Sequence, residues 1–122
     1  MERNNHGHST LNTLRNACHY PRLYWHTRYD AHGRAQPILG WPTDAATKPI
    51  LVDDLAAAIA DHAILIRAPG LVDECRSFVT TDSGSQQAQE GAFDDRVIAL
   101  GIAWQARKRG VSRVLTIRPE GW

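Results

Sequence analysis

The segment GAFDDRVIALGIAWQ, residues 91–105, constrains this chain more than any other stretch. Two adjacent carboxylates, Asp94 and Asp95, open a helix in which Val97, Ile98, Leu100, Ile102 and Trp104 leave few positions for water. A helix that is apolar on most sides is expected at the centre of a core. Its charged start must then lie at the edge of that core, where solvent, a cation or the helix N-terminus compensates the charge. A lone Asp at this position reads as an N-cap, its carboxylate accepting a first-turn N–H. A second carboxylate is superfluous as a cap and repels the first unless positive charge is near. A divalent cation would supply that charge, and so would Arg96.

The rest of the composition describes one ordinary domain. At 122 residues and 43% hydrophobic content, the chain is long enough for a single core and too short for two. The net charge is +1, but its distribution is uneven. Residues 1–40 hold Arg3, Arg15, Arg22, Arg28 and Arg34 against Glu2 and Asp30, residues 96–122 are again basic, and most acids lie between. That layout suits a protein gripping a polyanion with its flanks and a cation in its centre, although solvated helix faces produce the same segregation. Only Cys18 and Cys75 are present, and no segment has the length and apolarity of a signal peptide or membrane span. A reduced, cytosolic setting without membrane partners is the expectation. Cys18 and His19, with His6 and His8 upstream, raise the question of zinc, but their spacing fits no familiar ligand pattern.

Periodicity divides the chain without any internal repeat. Leu11, Leu14 and Ala17 predict a short helix from Ser9, ended at Tyr20-Pro21. Residues 23–29, LYWHTRY, read as a strand, turned at Asp30-Ala31-His32-Gly33 and returned near Ile38–Trp41. Thr47 is expected to cap a helix with Pro49 in its first turn and Leu51, Val52, Leu55, Ala58 and Ile59 inward, leaving Asp53, Asp54 and Asp61 on the wet face. Ala63–Ile66 reads as a short strand, and a helix from Pro69 carries Leu71, Val72, Cys75, Phe78 and Val79 inward. Residues 80–91 lack apolar periodicity and read as a loop. The final helix is expected over Asp94–Lys108, with Arg107, Lys108 and Arg109 complementing its C-terminal dipole and Gly110 as its stop.

A hard cation such as Mg²⁺ requires oxygen ligands from separate parts of the chain. Glu2 is the other acid in a suggestive place, just before the turn signalled by Asn4, Asn5 and Gly7. In order, the blocks ERNNHG, LYWHTRYD, GWPTDAATKPILVDDLAAAI and GAFDDRVIALGIAWQAR resemble the C-terminal nuclease domain of phage terminase large subunits, over residues 2 to about 109. The resemblance implies an α/β architecture of RNase H-like type, here partial, with helices on an incomplete mixed sheet. It also implies two divalent metals, Mg²⁺ or Mn²⁺, and double-stranded DNA as substrate. Glu2 matches the family's second acid, at a strand end. Asp94 and Asp95 match its last acidic motif, commonly His-Asp-Asp, with Phe93 in place of the His. These three would be the catalytic and metal-binding residues.

Arg28, Arg34, Arg107, Lys108 and Arg109 are the candidates for phosphate contacts, which position DNA without reading its sequence. Portal protein and terminase small subunit are the further partners the resemblance implies, in the host cytoplasm. The family's first catalytic Asp lies upstream of the ERNNHG block, and no phosphate loop GxxxxGK[ST] occurs in this sequence. The expectation is therefore a nuclease fragment over residues 1–109 followed by a tail over 110–122, weak or inactive alone. The alternatives are a non-catalytic DNA- or portal-binding assembly piece and a decayed prophage remnant.

Overall fold

Asp30 turns the first hairpin by replacing a backbone acceptor with its own carboxylate. Its Oδ1 accepts the N–H groups of His32 at 2.8 Å and Arg34 at 2.9 Å, the Asx-turn geometry that favours Asp in turns. The strands it joins are β1 (Trp25–Tyr29) and β2 (Ala35–Leu39), antiparallel in a register running from Trp25 opposite Leu39 to Tyr29 opposite Ala35. The computed structural model describes residues 2–3, 6–80, 83–89 and 91–110, with residues 109 and 110 described by backbone only. The chain order is α1 (His6–Asn16), β1, β2, α2 (Thr47–Ala60), α3 (Pro69–Ser77), β3 (Phe78–Thr80), β4 (Gln86–Ala88) and α4 (Asp95–Gly110). The described residues thus form a mixed α/β arrangement in which both sheets are two-stranded and antiparallel. No described helix is long and apolar enough to cross a membrane.

The helix α2 begins with a reciprocal cap. Asp44 Oδ1 accepts the Thr47 N–H at 3.0 Å, while Thr47 Oγ1 accepts the Asp44 N–H at 2.9 Å, so two otherwise unpaired donors are matched. The cap expected at Thr47 is therefore Asp44. Thr47 is instead buried in the first turn, where its hydroxyl donates to the Pro42 carbonyl. The same Asp44 carboxylate also holds Arg28 from β1 and so ties the hairpin to the start of α2.

Along α2 the buried positions Thr47, Leu51, Leu55 and Ala58 recur at helical spacing and form one inward stripe. That stripe meets α4 at its tightest point between Leu51 and Gly101. A Cβ on Gly101 would stand 2.2 Å from Leu51 Cδ2 and 2.7 Å from its Cγ, and Leu51 is 0% exposed. Trp41, Leu51 and Ile102 form the core, with Tyr24, Val52 and Ile98 packed around them. The Trp41 ring also receives His26 edge-on, centroids 5.1 Å apart. The α4 helix is one-sided rather than central: Val97, Gly101, Ile102 and Gln105 are buried, whereas Ala99 and Ala103 are exposed.

Further expectations differ from the structure: the helix from Pro69 ends at Ser77, so Phe78 and Val79, expected on its inward face, open β3 instead. Residues 63–66 form no strand and run as irregular chain between α2 and α3. Within 80–91, read as a loop, β4 pairs with β3 in the register Phe78 to Ala88 and Thr80 to Gln86. Its three residues are too few to display alternation. The turn leaving α2 places His62 at a φ of 56°, with Ala63 N–H bonded to the Ala58 carbonyl at 2.9 Å, a C-terminal closure usually given to Gly.

Because Leu51 has no free space to move into, Gly101→Ala should destabilise the fold by about 1–3 kcal/mol through overpacking. Urea denaturation of the two proteins checks this, and an unchanged midpoint would contradict the tight crossing.

Candidate functional site

Glu2 is placed by the backbone. It forms a parallel bridge with Trp41, and the adjacent Arg3 N–H donates to the Trp41 carbonyl at 2.8 Å. The chain then turns into α1 so closely that a Cβ on Gly7 would lie 2.0 Å from the Glu2 carbonyl oxygen. Only glycine permits that approach. The acid expected at a strand end therefore sits beside the extension of β2, half-buried, next to the core tryptophan.

Asp94 and Asp95 come to the same place from the other end of the described chain. Glu2, Asp94 and Asp95 line one depression of about 460 Å³, together with Thr43, Lys48, Ile98, Ala99 and Ile102. Along the α2–α4 contact, Lys48 lies near Asp94 and Asp95, Leu51 meets Gly101, and Asp54 reaches Gln105 and Lys108. The two helices consequently run in the same sense, and both N-termini open toward the depression. The partial positive charge of two helix starts favours carboxylates there.

Lys48 is the residue of this site that the sequence reading missed. A cation in the first turn of a helix opposes the dipole, and that oddity within Thr47-Lys48-Pro49 was its one visible signal. The lysine lines the same depression as the three acids. Arg96, the other cation considered for this task, turns away. Its guanidinium lies over Gly70 and pairs with Glu74, Nη1 to Oε1 3.5 Å.

Among the described residues no group of three His, Cys, Asp or Glu converges closely enough to hold a metal ion. Magnesium and manganese do not require such a cage, since they keep several waters and bind through one or two carboxylates plus substrate phosphate. Hard oxygen donors from Glu2 and the aspartyl pair, facing one open concavity, match that chemistry. Phe93, where the resemblance leads one to expect His, is 73% exposed. The histidines and Cys18 near α1 do not gather into a ligand set among the described residues. Cys75 is no activated nucleophile: burial, and then the neighbouring Glu74 carboxylate, push its thiol up from the usual value.

The basic candidates are already engaged. Arg28 is held by Asp44, Arg34 by Asp30 at 3.1 Å, and Lys108 by Asp54. Arg107 stacks over Trp104 at 4.8 Å from the ring centroid, and the Arg109 side chain lies outside the described residues, as does the segment 111–122. Asp54, assigned by its periodicity to the wet face of α2, instead accepts Gln105 Nε2 at 2.7 Å as well as Lys108. Pairs as exposed as these contribute little individually, about 0–1 kcal/mol. They do fix where the cationic side chains point.

These contacts set a pH dependence. Hydrogen bonding by Lys108 and then Gln105 holds the Asp54 carboxyl below its usual 3.8, and the Thr47 N–H does the same for Asp44. A folded-state value below the unfolded one adds stability that is present above pH 3.8 and is lost as pH falls through the folded value. Melting temperature should therefore drop on acidification below about pH 4. Asp54→Asn should shrink that drop while lowering the melting temperature at neutral pH, as circular dichroism melts across the range would record. Comparison with protein families, with curated proteins and with solved structures gives no match to this chain.

Proposed function

We propose that this chain is the C-terminal part of an RNase H-like nuclease domain of the phage terminase large-subunit type. In this reading Glu2, Asp94 and Asp95 are its contribution to a divalent-metal site that hydrolyses DNA phosphodiesters. The observation that carries the reading is the shared depression: acids from the two ends of the described chain line one concavity with a lysine between helix N-termini.

Bound Mg²⁺ or Mn²⁺ would lower the pKa of an attacking water and stabilise the departing 3′-oxygen. The chain's own part is electrostatic. Glu2 and the aspartyl pair hold the cations, and Lys48 limits repulsion among the acids and faces a phosphate entering the depression. DNA is the proposed polymer partner, with portal protein and terminase small subunit as assembly partners in the host cytoplasm. Arg28, Arg34 and Lys108 would have to exchange carboxylate partners for phosphates to take part.

Calorimetric titration with Mn²⁺ tests the reading directly. The wild type should take up the ion, and an Asp94→Ala, Asp95→Ala double variant should bind at least about tenfold more weakly. Uptake that is absent in the wild type, or equal in both proteins, would remove these carboxylates from any metal chemistry. DNA binding that persists in EDTA and survives Glu2→Ala would favour the non-catalytic assembly piece instead.

A further inference from the structure

The start of α4 carries an exchange of roles that bears on the acidic depression. The first intrahelical bond runs from the Ile98 N–H to the Asp94 carbonyl at 3.0 Å, so Asp94 occupies the capping position. A capping Asp would use its carboxylate on the N–H of the second or third helical residue, here Arg96 or Val97. Both of those N–H groups are instead accepted by Glu74 Oε2, at 2.8 Å and 3.3 Å. Glu74 belongs to α3, its side chain is only 13% exposed, and its second oxygen faces the Arg96 guanidinium. Asp94, relieved of the local role its position invites, lines the depression beside Glu2 and Lys48.

We propose that Glu74 is a positioning residue for the acidic depression: by capping α4 from α3 it leaves the Asp94 carboxylate available to a divalent cation. What the acids hold rests on the nuclease reading; the capping exchange rests on the hydrogen bonds alone. Without the Glu74 acceptor, two helix-start donors would need a new partner, and the carboxylate at the capping position is that of Asp94. That carboxylate would turn inward onto its own helix and leave the depression.

A metal-free melting cycle in EDTA tests the exchange. In the wild-type background Asp94→Ala should shift the melting temperature by no more than about 2 °C, as for a surface change. In the Glu74→Ala background the same substitution should lower it by about 4 °C or more, because Asp94 has become the cap. Equal shifts in both backgrounds would overturn the proposal.

Should Glu74→Ala not fold, amide hydrogen exchange decides the matter with Asp94→Ala by itself. Protection of the Arg96 and Val97 amides should be retained in that variant, and its loss would show that Asp94 had been capping all along. With Mn²⁺, Glu74→Ala should weaken uptake about tenfold, whereas Glu74→Gln, which keeps an acceptor oxygen, should stay within about threefold of wild type. Equal affinities in the alanine and wild-type proteins would overturn the positioning role. A wild type that takes up no Mn²⁺ would end the nuclease reading, with the capping exchange still judged by the melts and the amide exchange.

Discussion

The contact of Leu51 with Gly101 is the constraint on which the arrangement depends. Missing a side chain at one point lets α4 lie directly on the inward stripe of α2, with Leu51 filling the space. Once those helices touch there and run in the same sense, the positions one to two turns before the contact and one to two turns after it are set. Before it come Lys48, Asp94, Asp95 and Ile98, around the depression. After it come Asp54, Gln105 and Lys108, which close the far end with hydrogen bonds. A close-packed interior transmits small displacements, so a shift at this crossing would be felt at both ends.

Carboxylates in this chain do two kinds of work, and tertiary position separates them. Asp30 builds a turn, Asp44 caps α2, Asp54 ties α2 to α4, and Glu74 caps α4. Each accepts hydrogen bonds that any folded chain must provide for its backbone or its cations. Glu2, Asp94 and Asp95 line a concavity with a lysine instead. The cationic side chains of Arg28, Arg34 and Lys108 each answer one of the structural acids.

Much of the local structure was readable because local chemistry determines it. The Asp30-Ala31-His32-Gly33 turn, the strands beside it, the Leu51–Leu55–Ala58 stripe and the helix beginning at Pro69 follow from turn preferences and spacing that act within a few residues. The readings that failed are those in which a distant partner decides. Asp94 has the sequence position of a cap, yet Glu74, from another helix, accepts the N–H groups. Asp54 has the period of an exposed residue, yet Gln105 and Lys108 reach it. The α4 helix looked apolar all round because Ala99 and Ala103 are compatible with burial as well as exposure, and composition alone cannot assign a face to alanine. The β3–β4 pairing was invisible because three-residue strands, here Phe-Val-Thr and Gln-Gln-Ala, are too short to carry a period.

The sequence by itself determined where the chain bends, which faces of α2 are apolar, and that Glu2 and the Asp94–Asp95 pair stand at element ends. These are short-range consequences of backbone preference and hydrophobic spacing. Only the tertiary structure decided that those acids line one depression, that Lys48 joins them, and that Glu74 takes over the cap. The physical reason is that charge compensation and donor satisfaction act through space. The crossing of two helices brings the groups together, and no linear spacing records it.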